Sequence, residues 1–154
     1  MHVIVATDGS KQSLAAARYA RDVLDASKVT DVSVVAVLRP LAAVSFADDL
    51  SPDDRERVGL ESASFRAAAE SSLRVVAEVF DGWGPRVHRR IRSGSPANEL
   101  IKAARSLEAG LVVVAAGGRG LSDTVLIGST AQRVQHSAPC PVLVVRPTPR
   151  RKRG

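Results

Sequence analysis

One cysteine, Cys140, stands alone in the chain, so no internal disulfide is available and a reducing, cytoplasmic setting is expected. Aromatic residues are nearly as scarce: three Phe (Phe46, Phe65, Phe80), one Trp and one Tyr among 154 residues. That scarcity argues against a stacking platform for single-stranded nucleic acid. No apolar run approaches the ~18 residues of a membrane span. The three histidines, His2, His88 and His136, are scattered without metal-ligand spacing, so no protein-held metal site is expected. Neither G-x4-G-K-[ST] nor G-x-S-x-G occurs, which removes the P-loop and the nucleophile elbow. The opening MHVIVATDGS reads as a strand from its second residue, and no signal peptide is expected before it.

What remains is the balance of a globular domain, 45% hydrophobic and 25% charged, at a length that suits one core. The formal charge of +6 is concentrated at one end. RPTPRRKRG carries Arg146, Arg150, Arg151, Lys152 and Arg153, so the body is close to neutral. Residues 148–154 are expected to be a disordered, solvated basic tail behind a domain over 1–147. A specific nucleic-acid partner is not expected.

Short β-branched runs alternate with longer stretches of helical period. HVIVAT (2–7), VSVVAVL (32–38), VHRRI (87–91), LVVVAA (111–116) and PVLVV (141–145) read as strands. Helices are predicted from about Ser10 to Asp25, from Ser51-Pro52 to the Gly82-Trp83-Gly84-Pro85 stop, from Ser95-Pro96 to Gly110, and over 129–137. In the second helix Phe65, Ala69, Leu73, Val76 and Phe80 share one face, expected to be the buried one. The 39–51 loop is long for a compact domain and reads either as a lid or as a disordered segment. Five strands in strict alternation with four helices define an α/β fold: a three-layer open parallel sheet with helices on both faces. The basic residues of VHRRI suit a sheet edge.

In such a sheet ligands bind beyond the carboxyl ends of the strands. Three features lie at those ends: Thr7-Asp8 after the first strand, Val37 near the end of the second, and Gly117-Gly118-Arg119-Gly120 after the fourth. Gly128-Ser129-Thr130 then opens the last helix, whose N–H groups and positive dipole end suit an anion. Glycines let the main chain approach a phosphate closely and adopt positive φ. Ser129 and Thr130 carry hydroxyls for phosphate oxygens, and Asp8 suits a ribose hydroxyl or a Mg²⁺ water. Each feature also has a plainer reading: an ordinary turn for the glycines, an N-cap for Ser129, and a cap of the first helix for Asp8.

VIVATDGS with SLAAARYA, GSPANELIKAA, LVVVAAGGRG and IGSTAQRVQHSAPCPVLVVRP together resemble the universal stress protein family over residues 2–147. The resemblance implies strand order 3-2-1-4-5, a cytoplasmic role in stress response, and ATP binding, with Mg²⁺ as its companion ion. ATP-binding members of the family carry G-x2-G-x9-G-[ST]. Here Gly117 and Gly120 match the first part and Gly128-Ser129 the last, but seven residues separate Gly120 from Gly128. By motif position, Ala6, Thr7, Asp8 and Val37 would line the adenine and ribose. Gly117, Arg119, Gly120, Gly128, Ser129 and Thr130 would surround the phosphates. No residue is placed as a general base, so ATP hydrolysis is at most weak. The alternative, supported by the short spacing, is a stress-induced interaction protein that binds no nucleotide. PVLVV would be an uncharged edge strand in the family order, and a homodimer through 141–145 is expected. Any protein partner is unnamed by the sequence.

Overall fold

The computed structural model describes residues 1–39, 51–117 and 127–147. The 39–51 lid-or-loop expectation, apart from its end residues, Arg119 and Gly120, and the basic tail 148–154 lie outside those residues. Five strands form one parallel sheet: β1 (His2–Thr7), β2 (Asp31–Leu38), β3 (Arg86–Ser93), β4 (Leu111–Ala115) and β5 (Val142–Val145). Four α-helices alternate with them: α1 (Lys11–Val23), α2 (Pro52–Glu78), α3 (Pro96–Ser106) and α4 (Ser129–Ser137). A short 3₁₀ turn, Ala26–Lys28, precedes β2 and carries no periodicity that a sequence reading could use.

The strand order is β3-β2-β1-β4-β5, as the resemblance implied, with the basic β3 at one edge and β5 at the other. Side-chain alternation along the strands sorts the core into two layers. Val3, Val5, Val32, Val34, Ala36 and Val113 pack under α1 and α2. Ile4, Val35, Val112 and Val114 pack under α3 and α4. The central strands are apolar on both faces because both faces are covered. No described helix is long and apolar enough to cross a membrane.

Helix ends show where local chemistry overrode simple pattern reading. Ser10 caps α1, its hydroxyl accepting from Ser13 N–H at 3.1 Å. Ser95 occupies the N-cap position of α3 but makes no side-chain cap bond. There Pro96 starts the helix, having no N–H that needs satisfying. The same helix stops at Ser106, before the expected Gly110, because Glu108 turns left-handed at φ 49°.

The largest departure concerns α2. Leu73, Val76 and Phe80 are buried, at 3%, 3% and 1% exposure, but Phe65 on the same face is 54% exposed. The reason is length. Twenty-seven helical residues span about 40 Å, against about 26 Å for the eight residues of β2. The N-terminal part of α2 therefore reaches beyond the carboxyl end of the sheet, and there the inward face of the helix borders a hollow at the end of β2 instead of packing on the strands.

Candidate functional site

A cleft of about 660 Å³ opens at the carboxyl ends of β1, β2 and β4. Ala6, Thr7 and Asp8 enter it from β1, Val37 from β2, Gly117 from the end of β4, and Gly128, Ser129 and Thr130 from the start of α4. Eight of the ten residues proposed from the sequence thus meet in one hollow, and the other two, Arg119 and Gly120, are outside the described residues. Proximity follows from topology: β1 lies between β2 and β4, so the two chain ends that leave it on either side face each other.

The β1–α1 turn is held by a chain of hydrogen bonds. Gly9 N–H donates to Thr7 Oγ1 at 3.2 Å, and the hydroxyls of Thr7 and Ser13 lie 3.0 Å apart. Ser13 Oγ donates to the Ser10 carbonyl at 2.9 Å, so its one proton is used and Thr7 is the donor between the two hydroxyls. Ser10 N–H donates to Asp8 Oδ1 at 2.9 Å, which orients the exposed carboxylate at the rim. Gly9 takes φ 79°, a conformation that favours glycine, and lets the chain reverse directly after Asp8. The first helix is capped by Ser10, so Asp8 serves the turn instead of capping the helix itself.

On the opposite wall, Gly128 is the N-cap of α4 with extended backbone, φ −61° and ψ 156°. Its conformation is open to any residue, so positive φ is not the reason for glycine here. Its N–H donates to the carbonyl of Ala116, joining the start of α4 to the end of β4. Gln132 N–H donates back to Gly128 at 3.0 Å as the first helical bond. The amides of Ser129, Thr130 and Ala131 therefore have no acceptor within the helix, and no side chain caps it. All three residues line the cleft, which places the positive end of the α4 dipole there.

Several lining residues were missed by sequence reasoning. Ser13 looks like an ordinary polar helix residue, although its place three residues after Ser10 marks the capping turn. Arg39 directly follows β2 and lines the cleft wall. Pro96 and Leu100 come from α3, whose start is held close by Gly94 N–H donating to the Leu38 carbonyl at 2.8 Å. Phe65 reaches the cleft from α2.

The residues suit a nucleotide in kind. Apolar Ala6, Val37 and Leu100 can take a base, Asp8 can accept from ribose hydroxyls, and the α4 terminus can take phosphate oxygens. Among the described residues no three His, Cys, Asp or Glu side chains converge to hold a metal. A Mg²⁺ ion here would take its ligands chiefly from phosphates and water, the usual habit of that ion. Cys140 is half-buried, and burial pushes its thiol pKa up, away from reactivity.

An open parallel α/β sheet with a carboxyl-edge cleft, between an acid that follows β1 and the N-terminus of α4, defines the class. The model of the universal stress protein family matches residues 1–146, and the chain belongs to that family. It is 32% identical over 152 residues to universal stress protein MJ0531 of Methanocaldococcus jannaschii, covering 94% of this chain and 81% of that one. Its fold matches that of the hypothetical protein MJ0577, with a TM-score of 0.78 at 18% identity, covering 96% of each chain. It also matches a universal stress protein crystallised in complex with cAMP, with a TM-score of 0.67 at 26% identity, covering 96% of this chain and 98% of that one.

Proposed function

We propose that the cleft binds an adenine nucleotide, ATP with Mg²⁺ in the fullest form, and that the protein is a nucleotide-responsive binding module in stress response. The observation that carries this reading is the meeting of Asp8 and Val37 with the Gly128–Thr130 helix start around one cleft. The relative bound to cAMP supports it through shared fold and family. In this reading the base rests on apolar side chains, Asp8 holds the ribose, and main-chain amides with the Ser129 and Thr130 hydroxyls hold the phosphates. Charge on the phosphates is met by a helix dipole, Arg39 and the companion cation. Binding is the activity; no side chain is assigned to hydrolysis. The module works in the cytoplasm as a homodimer through β5, whose residues 142–145 are uncharged and only half-buried.

Equilibrium dialysis with labelled ATP and Mg²⁺ tests the reading. Saturable binding is expected, and absence of binding at millimolar nucleotide would reject it. The second reading, an interaction protein without nucleotide, draws on the seven-residue spacing between Gly120 and Gly128. A thermal shift on adding ATP separates the two, because a ligand that binds only the native state raises its stability.

A further inference from the structure

Among the described residues, the large apolar side chains that remain exposed are Met1, Tyr19, Val23, Leu60, Phe65 and Val75. Phe65 is the one of these that lines the cleft. It also lines a second hollow of about 110 Å³, bounded by Ala68, Ala69 and Ser72 of α2. Thr7, Asp8, Val37, Leu38 and Phe65 border both hollows, so the phenyl ring stands where the two adjoin. The ring belongs to the inward face of α2, and exposure arises because the helix overhangs the sheet. An aromatic ring on an inward face, left at the rim of a ligand-sized cleft beside Asp8 and Val37, has the chemistry to stack on a flat heterocycle.

We infer that Phe65 is the base-stacking residue of this cleft and selects purine nucleotides over their base-free sugar phosphates. The inference rests on the nucleotide reading above and adds a specificity determinant to it. Stacking acts on the base alone, whereas the α4 terminus acts on phosphate, so the two contributions separate by choice of ligand. Because Phe65 is more than half exposed, its replacement leaves the core intact.

Calorimetric titration of the full chain with AMP and with ribose 5-phosphate tests this in the wild type, Phe65→Ala and Phe65→Tyr. Phe65→Ala is expected to weaken AMP about 5- to 150-fold, the range for loss of one base–aromatic stack. Ribose 5-phosphate should bind it as it binds the wild type, and Phe65→Tyr should restore AMP. Unchanged AMP affinity in Phe65→Ala overturns the inference, and so does an equal loss for both ligands. A wild type that binds ribose 5-phosphate as tightly as AMP also overturns it while leaving the phosphate site standing. A wild type that binds neither overturns the nucleotide reading and this inference with it.

Discussion

Arg92 Nε donates to Glu99 Oε2 at 3.0 Å, tying the end of strand β3 to the first turn of α3. Lys102 adds a 3.3 Å contact to the other carboxylate oxygen, and the Arg92 bond leads the set that holds the Glu99 carboxyl below its ordinary pKa. Gly94 sits inside this clasp at φ 142°, and a Cβ there would lie 2.9 Å from Glu99 Oε1. Gly94→Ala is therefore strained in its backbone and displaces the carboxylate. A loss of about 1–3 kcal/mol in stability is expected from the backbone alone. Urea unfolding at neutral pH measures it, and a variant as stable as the parent would contradict the clasp.

The paired hydroxyls of Thr7 and Ser13 make a second prediction. Ser13→Ala leaves the buried Thr7 hydroxyl without its acceptor while the Ser10 cap of α1 is retained. A cost of about 1–3 kcal/mol is expected, the penalty for an unsatisfied buried polar group. Ser13→Thr keeps the hydroxyl and should recover part of it. Chemical denaturation of both variants decides the matter.

Acid should loosen the β2–β3 edge in a defined window. Asp31 accepts from His88 at 2.9 Å and contacts Arg86 at 3.1 Å, with its side chain 16% exposed. The His88 bond first, with Thr30 and Arg86 behind it, pulls the Asp31 pKa down to about 2 from 3.8. A carboxylate with a lowered folded pKa adds stability above its ordinary value, and that contribution is lost as pH falls toward the folded one. The loss attributable to Asp31 is thus expected between about pH 4 and pH 2. Comparing unfolding of the parent and Asp31→Asn across that range tests it: parallel pH profiles would refute the assignment.

The α4 terminus should be sensitive to bulk. Ser129 opens the helix at the cleft wall, and Ser129→Trp puts an indole where the phosphates are proposed to lie. Loss of ATP binding by more than tenfold is expected, with the thermal transition in the absence of nucleotide unchanged. Retained affinity would move the phosphates elsewhere.

Association has its own test. Val144→Lys places a charge in the middle of the β5 edge, a residue type that discourages strand pairing. Light scattering at micromolar concentration should show a dimer for the parent and a monomer for the variant. A monomeric parent would remove the proposed dimer.

Much of the fold was legible because four of the five strands are short β-branched runs and each helix begins beside Ser, Pro or Gly. The basic β3 could be placed at an edge from VHRRI alone, since Arg89 and Arg90 do not suit a strand covered on both faces. Strand order as a whole came from family resemblance, because pairing joins residues far apart in the chain. Phe65 was misassigned to the core because a 3.6-residue period reports which side of a helix faces inward, not whether the sheet extends that far. Ser13 escaped notice because its role depends on Thr7, six residues away on another element. Arg39 escaped although nearby Val37 was named, because no motif position pointed to the residue that follows the strand.

The bond from Gly128 N–H to the Ala116 carbonyl fastens the start of α4 directly to the end of β4 on one side of the cleft. Ala116 and Gly128 are thus held together by a main-chain bond of their own. Where α4 begins relative to β4 is set by that contact and not by the number of positions in between, so the seven-residue spacing does not by itself displace the helix start from the strand it follows.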